Sequence, residues 1–215
     1  MKKFLFLITI LATGWHLNDG KIPFLSPAGA YNEAGSPAVW LFTVDGCGKP
    51  CVTARYELQH RRIDYVEKRI NPHGEDTDDV KFWSREGRNS FPLIAVGDEI
   101  VNGSSHSALA SALALTFGET YLTRNERALF SRHFYEDGSP RIVMYGADWC
   151  GYCRKLRTEF ENDDIDYVEV DVEKSAYKTQ ITRTMEIGGY PATWVGYTRV
   201  KGTTLSAVKS TLRSY

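Results

Sequence analysis

Trp149-Cys150-Gly151-Tyr152-Cys153 joins an apolar run at 141–145 to a helical pattern that continues to residue 160. A cysteine at the start of a helix meets unpaired backbone N–H groups and the positive end of the helix dipole, which favours the reactive thiolate. A cysteine three residues further on lies one turn away, near enough to close a disulfide without moving backbone. The pair therefore reads as an attacking Cys150 and a resolving Cys153. Arg154 and Lys155 add positive charge beside it, and Asp148 opposes them. Structural zinc is the competing use of such a pair, and it needs four ligands. The five histidines, His16, His60, His73, His106 and His133, stand at no ligand spacing, so no metal site is expected.

The stretch has a copy upstream. Gly35-Ser36-Pro37 recurs as Gly138-Ser139-Pro140, and Cys47 as Cys150, both at an offset of 103. Ile63-Asp64-Tyr65-Val66-Glu67 recurs as Ile165-Asp166-Tyr167-Val168-Glu169 at 102, which also carries Cys51 onto Cys153. Pro92 recurs as Pro191, and Val96-Gly97 as Val195-Gly196, at 99. Landmarks kept in order mean a duplicated unit. The first copy, Cys47-Gly48-Lys49-Pro50-Cys51, has one residue more between its cysteines, so its helical turn should have to open for a disulfide to form. The remaining three-residue shift is assigned to the loop region 71–79.

Periodicity gives each unit the order strand, helix, strand, helix, strand, strand, helix. In the second unit these fall at 141–145, 153–160, 167–172, 175–185, 192–195 and 198–200, and Thr204 caps the last helix. In the first they fall at 39–44, 52–61, 65–70, 76–85, 93–96, 99–101 and 107–117. Each unit is then a mixed four-stranded sheet flanked by helices, an α/β architecture. Thr123-Arg124-Asn125-Glu126 is a capping box, which predicts an interdomain helix through His133 within a linker at 119–137. The units themselves span 36–118 and 138–215.

Lys2-Lys3 followed by the apolar run 4–12 and the small residues Ala12-Thr13-Gly14 has the form of an export signal over 1–14, followed by a tail at 15–35. The run is too short to span a bilayer, and stable membrane insertion is not expected. A net charge of −1 gives no reason to expect nucleic acid as a partner. Four cysteines in 215 residues are too few for a disulfide-stapled scaffold, and their close pairing favours local redox chemistry.

Cys-Gly-Tyr-Cys at 150–153, Tyr190-Pro191-Ala192-Thr193-Trp194-Val195-Gly196 and Lys201-Gly202-Thr203-Thr204 together resemble a glutaredoxin of the thioredoxin fold, and the resemblance covers both units. It implies two tandem thioredoxin-fold units. It also implies that Pro191 is cis and faces the cysteines, and that the Tyr190 backbone pairs with an extended substrate, flanked by Trp149 and Tyr152. Phe91-Pro92 keeps the corresponding place in the first unit. Three departures weaken the case for glutathione as a cofactor: Ala147 where the family has a lysine, Gly189-Tyr190 before the proline, and Thr204 where an aspartate is usual.

The expected function is an exported thiol–disulfide oxidoreductase, periplasmic or extracellular, using a dithiol mechanism on protein disulfides. Its catalytic residues are Cys150 and Cys153, with Cys47 and Cys51 as a second pair. Such a protein needs a redox partner to recharge its site. The alternatives are a peptide-binding module with structural disulfides, and a glutathione-dependent glutaredoxin or iron–sulfur carrier.

Overall fold

In a computed structural model the described residues are 29–87 and 90–215. The expected export signal lies outside them, as does most of the tail. The first unit runs β1 (Val39–Thr43), α1 (Lys49–His60), β2 (Val66–Arg69), α2 (Asp78–Glu86), β3 (Leu93–Val96), β4 (Glu99–Asn102) and α3 (His106–Phe117). A 3-10 turn, helix α4 (Arg124–Phe130) and a second 3-10 turn (Ser131–His133) follow. The second unit runs β5 (Ile142–Gly146), α5 (Gly151–Asn162), β6 (Val168–Asp171), α6 (Lys178–Thr184), β7 (Ala192–Val195), β8 (Thr198–Arg199) and α7 (Leu205–Leu212).

The two sheets have the same order, β2-β1-β3-β4 and β6-β5-β7-β8. In each the first pair is parallel and the other two antiparallel. Central strands covered on both faces should be apolar throughout, and β5 is buried at every position. Along β1, Leu41 packs with Leu58, Leu109 and Leu113, whereas Phe42 turns to Phe82 and Trp83 of α2.

Helix α3 joins the units. It is buried on more than one side, and its sequence has no polar face to turn outward. Leu109 and Leu113 fill the core of the first unit. Ala110 and Ala114 belong instead to the core formed by Val143, Tyr145 and Trp194 of the second sheet, with Leu129 and Phe130 of α4. Helix α3 therefore contributes side chains to a core cluster of each unit. A buried ion pair adds to the joint, with Arg61, the C-cap of α1, donating two hydrogen bonds of 2.6 and 2.7 Å to Glu126 of α4.

Several expectations need correcting. The repeat starts earlier than 36 and 138. Tyr31 bridges Pro37 as Phe134 bridges Pro140, and Ala38 N–H donates to Ala30 as Arg141 N–H donates to His133. Ala30, assigned to the tail, is fully buried. The capping box at Thr123 is formed, but α4 stops at Phe130 and the chain tightens to 3-10 up to His133. Helix α6 starts at Lys178 rather than 175. The three-residue shift is spread out: the loop before α2 and α2 itself are each two residues longer than their copies, and the turn before Pro92 is one shorter. Thr204 does cap α7, accepting from Ala207 N–H at 3.3 Å.

Candidate active site

Both cysteine pairs are closed as disulfides, with Cα–Cα distances of 5.8 Å for Cys47–Cys51 and 5.2 Å for Cys150–Cys153. Cys51 and Cys153 occupy the same place, the third residue of α1 and of α5, and both are buried. The first cysteines differ. Cys150 is itself the N-cap of α5, and its Sγ accepts from Cys153 N–H at 3.1 Å. In the first unit the N-cap is Gly48, and Cys47 stands one residue outside the helix. The expected opening of the α1 turn does not occur. The extra residue is taken up before the helix by Gly46 and Gly48, whose φ angles of 78° and 65° suit glycine.

Accessibility runs the other way. Cys47 is half-buried, whereas Cys150 is 3% exposed. Cys150 sits in an apolar cluster with Ala147, Cys153 and Leu156, against which Tyr190 packs. The exposed apolar surface lies on its neighbours, Trp149 and Tyr152, at 69% and 68%. Tyr190 meets Trp149 edge-on at 5.9 Å between ring centres, and its hydroxyl donates to Glu173 at 3.1 Å.

The prolines lie where the sheet register puts them. Ala192 pairs with Tyr145 and Leu93 with Phe42. Pro191 and Pro92 thus leave the sheet at the same end as the loops carrying Cys150 and Cys47. Both peptide bonds, Tyr190–Pro191 and Phe91–Pro92, are cis. Phe91 is not free beside its site; it stacks on Trp83 at 4.6 Å. Trp149 and Tyr152 have Gly46 and Pro50 as their copies, so the aromatic rim belongs to the second unit alone.

Two carboxylates beside the sites were missed in the sequence, although the offset of 102 relates them. Arg157 donates to both oxygens of Glu169 at 2.6 and 2.7 Å, and Arg55 holds Glu67 in the same way. The hydrogen bonds from Arg55 hold the Glu67 carboxyl below its usual range. Thr43 also donates to Glu67 at 2.8 Å; its counterpart at the 103 offset is Gly146, which has no side chain to do so. Nearer the entrance, Lys174 pairs with Asp148 and keeps that carboxyl below its ordinary value. Ala147 is fully buried, so no side chain there reaches solvent. Among the described residues no three His, Cys, Asp or Glu side chains gather in a way that could hold a metal ion.

Residues 142–200 match the glutaredoxin family model. The chain is 22% identical over 138 residues to the thioredoxin domain-containing protein R362 of Acanthamoeba polyphaga mimivirus, a match covering 60% of this chain and 40% of that relative. Among solved structures, buckwheat glutaredoxin in complex with glutathione is 17% identical, covering 34% of this chain and 68% of its own, with a TM-score of 0.29. Leishmania TDR1, described as a trimeric glutathione transferase, is 10% identical over 80% of this chain and 66% of its own, with a TM-score of 0.27. The molecule thus consists of two tandem units of the same sheet topology, each carrying a cysteine pair, and the second of them matches the glutaredoxin family model.

Proposed function

We propose that the chain is an exported dithiol oxidoreductase acting on protein disulfides, with the second unit as its leading site. The observation that carries this reading is the N-cap position of Cys150, with the Cys153 N–H on its sulfur. A thiolate placed there is stabilised by that N–H and by the helix terminus. In the reduced enzyme the Cys150 thiolate attacks one sulfur of a substrate disulfide. A mixed disulfide forms and the first substrate thiolate leaves. The Cys153 thiolate then attacks Cys150 Sγ, and the second substrate thiolate leaves. Two electrons pass to the substrate, two protons from solvent complete its thiols, and the enzyme is left as the Cys150–Cys153 disulfide. A dithiol partner reverses the change by the same exchange.

Trp149, Tyr152 and Tyr190 favour an apolar polypeptide around the substrate cysteine, because aromatic surface of this kind gains most from burial on binding. The Tyr190–Pro191 backbone is the proposed pairing edge. The Lys2-Lys3 flank and the apolar run behind it support export, and closed disulfides are compatible with an oxidising compartment. Among the described residues no helix is long and apolar enough to cross a membrane. The test is dithiothreitol-dependent reduction of a protein disulfide. Turnover lost in Cys150→Ser supports the reading. No turnover by the wild-type protein, with both disulfides intact, favours a binding module instead.

A further inference from the structure

The loop that leads to Tyr190–Pro191 is fastened to the other unit. Glu186 follows α6, and its carboxylate reaches the N-terminus of α3. It accepts from Ser107 Oγ at 2.7 Å and Ser107 N–H at 3.2 Å, and also from Ser105 Oγ. His106 lies between those serines. Its Nδ1 is 2.9 Å from Glu186 Oε1, and its Nε2 is 2.7 Å from the carbonyl oxygen of Arg183. Both partners are acceptors only. A neutral imidazole has one N–H, so one ring nitrogen would face an acceptor with a lone pair; only the imidazolium donates to both.

We propose that His106 and Glu186 form a proton-operated clasp, closed when His106 is charged, that holds the loop leading to Tyr190–Pro191 against α3. Gly188 and Gly189, with no side chains, follow the clasp and let the released loop move. The groups facing His106 are mixed. Glu57 and His60 come from α1 and Arg61 from its C-cap, Glu126 from α4, and Arg183 and Glu186 from the second unit. Arg61 is already paired with Glu126 and Glu57. The hydrogen bond to Glu186 dominates, against the opposing effect of burial, and raises the His106 pKa. Burial works against the charge on Glu186, but the hydrogen bonds from His106, Ser105 and Ser107 outweigh it and hold the carboxyl well below its usual range. The clasp is thus complete below the ordinary histidine value of about 6.5. It weakens as pH rises through the higher folded value. The apolar joint through Ala110 and Ala114 stays closed throughout, so the change is confined to the loop.

The test uses the full chain with both disulfides intact. Nuclear magnetic resonance gives the His106 titration directly, and hydrogen exchange gives the protection factor of the Ser107 amide. We expect a His106 midpoint above about 6.5. Above that midpoint, protection at Ser107 should fall by up to tenfold per pH unit, the limit for one linked proton. In His106→Gln protection should be low and without this pH dependence. In Glu186→Gln the His106 midpoint should drop towards the ordinary value. A wild-type midpoint at or below about 6.5 overturns the clasp. So does an unchanged midpoint in Glu186→Gln, or a Ser107 profile that His106→Gln leaves as it was. None of these measurements uses disulfide exchange, so the clasp can fail while the oxidoreductase reading stands, and the reverse. The clasp's effect on substrate rests on that reading.

Discussion

The sulfur of Cys153 and the carboxylate of Glu169 face each other across Gly146. A Cβ built on Gly146 would lie 3.2 Å from Cys153 Sγ and 3.1 Å from Glu169 Oε1. In the first unit the corresponding space is filled by Thr43, whose hydroxyl donates to Glu67. A side chain at this place thus bonds the glutamate in one unit, and in the other the place holds only Gly146 between Cys153 and Glu169.

That adjacency predicts the effect of Gly146→Ala. The sulfur is fixed by its disulfide and by the core around it, and Glu169 is held by Arg157, so neither neighbour gives way easily. Overpacking of this kind costs about 1–3 kcal/mol. The variant should unfold at lower temperature than wild type in calorimetry under oxidising conditions. Equal or higher stability would show that the site relaxes freely.

Arg61 and Glu126 predict a larger loss. Their side chains are 2% and 3% exposed, and Arg61 also donates to Tyr121 O at 3.1 Å. Removing Arg61 leaves the Glu126 carboxylate buried without a cation, at a cost of about 3–5 kcal/mol, and removing Glu126 leaves Arg61 only its longer 3.5 Å pair with Glu57. Glu126→Ala also loses half of the capping box at Thr123. Denaturant titration should show both Arg61→Ala and Glu126→Ala strongly destabilised, and the double variant less so than their sum. Additive losses would mean the pair is not coupled.

His133 sets the acid side of the stability curve. Its Nδ1–H donates to Gly196 O and its Nε2 accepts from the Tyr145 hydroxyl, each at 2.8 Å, so the buried ring is neutral. Burial lowers its pKa to about 4. The unfolded chain takes up the proton at about 6.5, while the folded one resists until the lower value. Stability from this group is therefore full above about 6.5 and falls as pH drops towards the folded pKa, by roughly 3 kcal/mol at most. Calorimetry at pH 7 and pH 4.5 checks it. His133→Gln should be less stable at pH 7 and show a smaller loss on acidification; an identical pH dependence would remove His133 as the cause.

The doubled fold could be read from the chain because its landmarks are covalent and local: paired cysteines, prolines at strand starts, and strands that repeat in order. What escaped depends on packing between residues distant in sequence. Nothing local says that Ala110 and Ala114 pack on another unit's sheet. The run Ala108–Ala114, apolar except for Ser111, says only that α3 lacks a strongly polar face. The Arg157–Glu169 pair could have been found, since Arg55 and Glu67 stand at the same offset of 102. The Glu186 clasp could not, because Glu186 has no special local signature. The burial of Cys150 was also hidden, since it follows from packing around Ala147 and Leu156 rather than from the motif.

Glutathione should bind poorly. Ala147 is buried and uncharged, and Thr204 replaces the aspartate that the resemblance would supply. A charge-assisted hydrogen bond is worth roughly 1.5–3 kcal/mol, so the absence of two weakens binding about a hundredfold or more. Thr204→Asp should recover part of this, because aspartate caps a helix as well as threonine does. Isothermal titration of both proteins checks it, and sub-millimolar affinity in the wild type would refute the argument.

The two cysteine pairs are expected to do unequal work. Access favours Cys47, which is half-buried, over Cys150, which is almost wholly covered. Activation favours Cys150, which caps α5 and receives the Cys153 N–H, whereas Gly48 separates Cys47 from its helix. The attacking species is the thiolate, and its population depends on such hydrogen bonds and charges. Access can be gained by moving Tyr190, which packs against the Cys150 cluster from its edge; a missing N–H cannot be gained so easily. Cys150→Ser should therefore abolish nearly all reduction of a protein disulfide. Cys153→Ser should accumulate mixed disulfides with substrate, visible by mass spectrometry, because attack survives and resolution does not. Cys47→Ser should keep a large part of the rate. All variants are compared at one pH with one reductant. If Cys47→Ser is as inactive as Cys150→Ser, the units pass electrons in series and neither leads. If Cys150→Ser keeps the full rate, access outweighs activation and the first unit is the enzyme.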